Sequence, residues 1–288
     1  MNTFNETKSI LNKYNIRANK RFGQNFLIDD NILTNIIGVS NITKKDLVIE
    51  IGPGLGNLTR YILEKSGYAL LVEIDTNMIN ILNDRLGNYN NYSLINQDIL
   101  KINIDKKIEE IEENLNINFE KIKVVANLPY YITTPIIFKL LQDENKIDRI
   151  TVMVQKEVAE RMVAKSNTKD YGILTLMVKY LSDATIDFIV PKESFIPAPN
   201  VTSAIISLDK NKKYKVENEK LFFELIHSSF AQRRKTMINS LSSTKFNNLD
   251  KSTLNEIFDK LNIDKNIRAE QLEIEEFIKI SDFINSYF

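Results

Sequence analysis

The run Leu47-Val48-Ile49-Glu50-Ile51 passes directly into Gly52-Pro53-Gly54-Leu55-Gly56-Asn57, and a helical pattern follows. A strand that stops on a glycine-rich turn and resumes as a helix points to a parallel α/β sheet that binds its ligand at the carboxyl edge. Glycine is needed where the backbone turns sharply and approaches a ligand, because a side chain there would collide. The pattern repeats. Apolar runs at Leu47–Ile51, Ala69–Ile74, Ser93–Gln97, Ile122–Ala126 and Ile150–Val154 read as strands. Helical periodicities at Asp30–Ile37, Leu58–Lys65, Met78–Leu86, Pro135–Leu141, Glu157–Ala164 and Gly172–Leu181 lie among them. Two later runs, Thr185–Val190 and Ser203–Leu208, complete a seven-stranded sheet. Asp209–Glu219 is polar and lysine-rich, and beyond it only helical patterns remain, at Leu221–Phe230, Leu254–Leu261 and Ile274–Ile284. The expected architecture is a Rossmann-like α/β domain over residues 1–209 and a small all-helical domain over residues 210–288.

Polar residues recur at the strand ends. Glu73 closes the second strand 21 residues after Gly52, where a carboxylate accepts from ribose hydroxyls. Asp98 follows the third strand, placed with the Ile99 backbone to receive the amine of an adenine. A dinucleotide is the rival ligand, but its fingerprint requires glycine where Asn57 stands. No proton donor suited to a nicotinamide stands out either. Gly52, Gly54, Glu73 and Asp98, with Glu50 before the loop, favour S-adenosylmethionine.

The fourth strand ends in Asn127-Leu128-Pro129-Tyr130. An amide oxygen, a backbone carbonyl and an aromatic ring meet there, a set suited to gripping the exocyclic amine of a flat heterocycle. Asn127 and the Leu128 carbonyl accept the two amine hydrogens. Pro129 stiffens the turn by fixing φ, and Tyr130 offers a face for stacking. Taken in chain order at successive strand ends, Gly52, Glu73, Asp98 and Asn127 describe one site.

Composition removes other chemistries. Cysteine is absent, which excludes disulfides, cysteine-held zinc, iron–sulfur clusters and a thiol nucleophile. The single histidine, His227, sits in a helical stripe with Leu221, Phe222, Leu225, Ile226 and Phe230 and reads as a packing or RNA-edge residue. No metal is expected in the chemistry. No apolar stretch approaches a membrane span, and the polar start Met1–Lys8 carries no secretory signal. No membrane partner and a cytoplasmic location are therefore expected.

The 38 basic and 38 acidic residues cancel but are segregated. Residues 1–21 hold five basic side chains, among them Arg17, Lys20 and Arg21, against Glu6 alone. Residues 211–240 hold seven, among them Arg233, Arg234 and Lys235, against three glutamates. A polyanionic substrate is compatible with that distribution.

The combined motifs resemble the ribosomal RNA adenine dimethyltransferases, and within them the bacterial small-subunit branch linked to kasugamycin sensitivity. The resemblance rests on Arg21-Phe22-Gly23-Gln24-Asn25-Phe26-Leu27, Glu50-Ile51-Gly52-Pro53-Gly54 and Asn127-Leu128-Pro129-Tyr130-Tyr131-Ile132. It extends through Gln155-Lys156-Glu157-Val158, Phe195-Ile196-Pro197-Ala198-Pro199 and Phe230-Ala231-Gln232-Arg233-Arg234-Lys235. It implies an S-adenosylmethionine-dependent enzyme that dimethylates N6 of two adjacent adenosines near the 3′ end of 16S rRNA. The expected partner is an immature 30S subunit, and the expected state is a monomer. Asn25 and Leu27 are then cofactor contacts from the N-terminal arm, beside Gly52, Gly54, Glu73, Asp98, Ile99 and Asn127. Phe195 becomes a second aromatic face opposite Tyr130, so that the catalytic set is Asn127, Leu128, Tyr130 and Phe195. Arg17, Lys20, Arg21, Arg233, Arg234 and Lys235 become the RNA contacts. A large-subunit methylase of the macrolide-resistance group, a DNA adenine methylase and a non-catalytic ribosome-assembly factor are the competing readings.

Overall fold

The computed structural model describes residues 2–16 and 23–287. Arg17, Lys20 and Arg21 of the basic arm lie outside them. The chain divides into two compact units, one formed by Met1–Ala159 with Asp183–Lys210, the other by Glu160–Ser182 with Asn211–Phe288.

The first unit is built on a seven-stranded sheet. Its strands are β2 (Asp46–Ile51), β3 (Tyr68–Glu73), β4 (Tyr92–Asn96), β5 (Lys121–Asn127), β6 (Arg149–Gln155), β7 (Ser182–Val190) and β9 (Ser203–Lys210). They lie in the order β4-β3-β2-β5-β6-β9-β7. A further short ladder pairs β1 (Phe26–Leu27) antiparallel with β8 (Phe195–Ile196). Strands β2 to β6 run parallel to their neighbours, and β9 returns antiparallel to β6. Every residue of β2 is buried, and four of its six are aliphatic, which is why it reads as a strand. The strand order reverses direction between β2 and β5. Loops after those two strands diverge, leaving a crevice between Gly52 and Asn127.

Helices α1 (Thr3–Lys13), α2 (Asp30–Ser40), α3 (Asn57–Lys65), α4 (Thr76–Arg85), α5 (Ile104–Leu115) and α6 (Thr133–Gln142) belong to this unit. Helix α7 (Lys156–Met162) carries the chain across its border with the second. Several helices start on side-chain caps. Asp29 accepts from the Asn31 and Ile32 amides, Asp75 from Asn77 and Asn103 from Lys106, so orphan donors in each first turn are satisfied. Three elements are absent from the sequence expectation: α1, α5 and the β1–β8 ladder. Helix α5 contains the acidic run Glu109–Glu113, yet Ile104, Ile108 and Ile111 form its buried stripe.

The second unit is helical: α8 (Ile173–Leu181), α9 (Glu219–Phe230), α10 (Met237–Ser243), α11 (Lys251–Lys260) and α12 (Ile274–Tyr287). The division expected at 209/210 needs one correction, because α8 belongs here and not with the sheet. Its Leu176 and Tyr180, with Tyr171 before it, are buried in a core shared with Phe222, Phe258 and Phe277. Tyr180 lies 4.9 Å from Phe222 between ring centroids. Burying that much apolar surface against α9 decides where the segment goes, whatever its place in the chain. Among the described residues, no helix is long and apolar enough to cross a membrane.

Candidate active site

A cavity opens at the carboxyl ends of β2, β3, β4 and β5. All eight residues expected to hold the cofactor lie on its wall, as do Leu128 and Tyr130. The glycine loop explains itself. Gly52 has φ +67°, and a Cβ there would meet no atom within 4 Å, so it would project into open space on the cavity wall. Gly54, at φ +56°, brings the loop close to Phe26, whose ring would sit 3.4 Å from a Cβ. The positive φ and the open approach are the two properties only glycine supplies cheaply.

Two carboxylates sit deep in the wall. Glu73 is buried, and its Oε2 accepts from the Gly54 amide at 3.0 Å while Oε1 accepts from Asp75 at 2.8 Å. Burial raises its pKa, and these backbone donors oppose the rise. Glu50 is also buried, and its Oε2 has no hydrogen-bond partner among the described residues. Burial pushes its pKa up to about 8; the Thr59 hydroxyl pulls the other way and the Glu73 charge adds to the rise. Asp98 is half-exposed, and its Oδ1 accepts from the Leu100 amide at 3.0 Å, capping the turn Ile99–Lys101.

Strand β5 delivers Asn127 to the opposite side. The Asn127 Nδ2 donates to the Asn25 carbonyl at 3.0 Å. That bond settles which way the amide points, because a carbonyl only accepts. Oδ1 is left as the acceptor for a ligand. The Leu128 amide donates to the Met153 carbonyl at 3.1 Å, tying the turn to β6. The half-buried Tyr130 is anchored at its hydroxyl, 2.5 Å from Ser203 Oγ on β9. Burial raises the Tyr130 pKa, keeping the hydroxyl neutral.

Phe195 departs from expectation. It is 3% exposed, pairs with Leu27 in the β1–β8 ladder and belongs to a core cluster with Val125, Met153 and Ile205. It is not on the cavity wall. The structure places the Phe195 ring in the packing between the β1–β8 ladder and the sheet. Tyr131, which the sequence reading passed over, does line the cavity and is 55% exposed. Its position next to Tyr130 in the turn was the available signal.

In the second unit the basic triplet divides. Arg233 donates through Nε to Glu270 at 2.9 Å and through Nη2 to the Thr168 and Tyr171 carbonyls at 3.3 Å each. Those bonds make it a brace within the unit. Arg234, Lys235 and His227 are exposed.

A cavity at the switch point of a mostly parallel sheet, walled by a glycine loop, two strand-end carboxylates and an Asn-Leu-Pro-Tyr turn, defines a Rossmann-like methyltransferase that acts on an exocyclic amine. The chain matches the family described as ribosomal RNA adenine dimethylase over residues 15–286, and it belongs to that family. It is 45% identical over 289 residues to the ribosomal RNA small subunit methyltransferase A of Clostridioides difficile strain 630, covering 99% of this chain and 97% of that one. A crystal structure of a dimethyladenosine transferase from Plasmodium falciparum superposes with a TM-score of 0.71 at 27% identity, covering 88% and 94% of the two chains. The 23S rRNA methyltransferase ErmE shares the fold, with a TM-score of 0.64 at 22% identity over 91% of this chain and 100% of that one. S-adenosylmethionine is the methyl donor of this family. The residues present fit it: open space beside Gly52, an unpartnered buried oxygen on Glu50, and carboxylates at Glu73 and Asp98.

Proposed function

We propose that this chain methylates N6 of adenines in small-subunit ribosomal RNA, giving N6,N6-dimethyladenosine during subunit biogenesis. The observation that carries the reading is the Asn127 amide, whose nitrogen is committed to Asn25 at 3.0 Å and whose oxygen remains an acceptor on the cavity wall. Bound S-adenosylmethionine supplies an activated methyl group on a sulfonium, so no covalent enzyme intermediate is required. Gly52 and Gly54 would admit it, Glu73 would accept from its ribose, and Asp98 with the Ile99 backbone would receive its adenine. Asn25 and Leu27 would contact it from the arm side of the cavity wall. Asn127 Oδ1 and the Leu128 carbonyl accept the hydrogens of the substrate amine and favour positive charge developing on that nitrogen. Tyr130, held at its hydroxyl by Ser203, supports the base by stacking.

No histidine is among the described residues of the cavity wall, and the proton released after transfer leaves to water. One amine hydrogen remains for the second round, shared between Asn127 and Leu128. The target adenine leaves its stack to reach them. The substrate is two adjacent adenosines near the 3′ end of 16S rRNA in an immature 30S subunit, and the enzyme acts as a cytoplasmic monomer. High identity to a relative named for the small subunit supports that choice. Arg234 and Lys235, with Arg233 and the arm residues Arg17, Lys20 and Arg21, contact RNA phosphates.

The test uses radiolabelled S-adenosylmethionine and small subunits from cells lacking the modification, with the RNA digested to nucleosides. N6,N6-dimethyladenosine forms with the wild type and falls by about 100-fold or more with Asn127→Ala. Cofactor binding and subunit binding without transfer would instead establish an assembly factor.

A further inference from the structure

Asn57 stands where a dinucleotide-binding loop has its last glycine, and its side chain joins three other elements. It is 5% exposed, begins α3 directly after the glycine loop and lies on the cavity wall. Its Nδ2 donates to Thr7 Oγ1 on α1 at 2.9 Å and to the Leu27 carbonyl on β1 at 2.8 Å. Its Oδ1 accepts from Arg85 Nη1 on α4 at 3.2 Å. The amide orientation is fixed by chemistry, since a carbonyl only accepts and a guanidinium only donates.

Two further contacts extend this junction. Arg85 Nη2 donates to Glu6 Oε1 at 2.7 Å, and Arg60 Nη1 lies 2.9 Å from Glu6 Oε2, so α1 is clasped to α3 and α4. Beneath the clasp, Ile10 packs in one cluster with Phe26, Leu55, Met78 and Ile81. The arm segment Asn25–Leu27 is thereby pinned at two points. Its Leu27 carbonyl is held by Asn57, and its Asn25 carbonyl is held by Asn127. A shift at the first anchor is passed along three residues to the amide that grips the substrate.

We infer that Asn57 is a positioning residue: it couples the docking of α1 to cofactor binding and sets the Asn127 amide through the segment Asn25–Leu27. The inference rests on the reading that the cavity takes S-adenosylmethionine and that Asn127 receives the adenine amine. Coupling of this kind is reciprocal. Whatever factor the docked arm adds to cofactor affinity, the cofactor returns as protection of the arm.

The experiment measures binding of S-adenosylhomocysteine by calorimetry and amide hydrogen exchange over residues 3–13, with and without that ligand. In the wild type, ligand slows exchange in α1. In Asn57→Ala, the dissociation constant rises on the order of tenfold to a hundredfold, in line with buried partners left unpaired, and the ligand no longer slows α1 exchange. Thr7→Val and Glu6→Gln lie off the cavity wall and weaken the same coupling by smaller factors. They serve if Asn57→Ala does not fold. A merely structural Asn57 would speed α1 exchange while leaving the dissociation constant and the ligand-dependent protection unchanged; that result overturns the inference and leaves the cofactor reading intact. A wild-type protein that binds no S-adenosylhomocysteine overturns both.

Discussion

Replacing Glu50 by Gln should stabilise the free protein, increasingly so as the pH rises. The carboxyl is buried beside Glu73, one of its oxygens has no partner among the described residues, and its pKa climbs from the ordinary 4.5 to about 8. Between those values the unfolded chain sheds the proton and the folded protein retains it. The folded state therefore binds more protons, and stability falls with rising pH until the folded group itself ionises. The shift spans about 3.5 pH units at about 1.4 kcal/mol each, or about 5 kcal/mol in all. Glutamine has nearly the same shape and no such slope. Thermal unfolding of wild type and Glu50→Gln without ligand, from pH 5 to pH 8.5, gives the comparison. The gap between the two midpoints should widen by roughly 3 to 6 °C per pH unit for a unit of this size. Titrating groups away from Glu50 and its neighbour Glu73 act alike in both proteins and cancel in the difference. Parallel midpoint curves would refute the argument, because they would mean that Glu50 is already ionised in the fold.

Two further contrasts follow from the geometry. Gly52→Ala should weaken cofactor binding at least tenfold while costing only about 1–2 kcal/mol of stability for its left-handed backbone, since no atom obstructs the added Cβ; Gly67→Ala, whose Cβ would meet the Lys44 carbonyl at 2.5 Å, should do the reverse. Calorimetry with unfolding midpoints separates the two. Replacing Arg234 and Lys235 with Gln should lower the slope of log affinity against log salt for RNA by about 1.4 while leaving unfolding unchanged, whereas Arg233→Gln should lower the midpoint of the helical unit by removing its bonds to Glu270, Thr168 and Tyr171.

What was legible in the sequence follows from burial. Strands such as β2 and β5 have buried side chains throughout most of their length, so their apolar runs announce them. The polar residues at their ends could then be placed on one edge without coordinates. Helix α5 was hidden because its buried stripe is only Ile104, Ile108 and Ile111 among acidic neighbours. Helix α1 was hidden for a different reason. Thr3, Thr7 and Glu6 dock through hydrogen bonds and ion pairs to Asp30, Asn57, Arg60 and Arg85, and no periodicity reports such partners. Asn57 was legible only as a mismatch to another fingerprint. Phe195 carried the motif of a stacking ring, yet the two-residue ladder with Leu27 decides its surroundings, and a ladder that short leaves no trace in the sequence.

The helical unit is assembled from two stretches of chain separated by β7, β8 and β9. During synthesis α8 therefore emerges before any of the helices that bury Leu176 and Tyr180, and it must wait with that apolar surface uncovered. The sheet faces the complementary delay, since β9 pairs with β6 only after the intervening segment has been made. Neither half can be released by one cut. Cleavage after Lys210 yields a sheet carrying an orphaned apolar helix, and the fragment beyond it lacks part of its own core. A proteolytic survey that seeks an independent catalytic half should find aggregation where a linker between two simple domains would have yielded two soluble pieces.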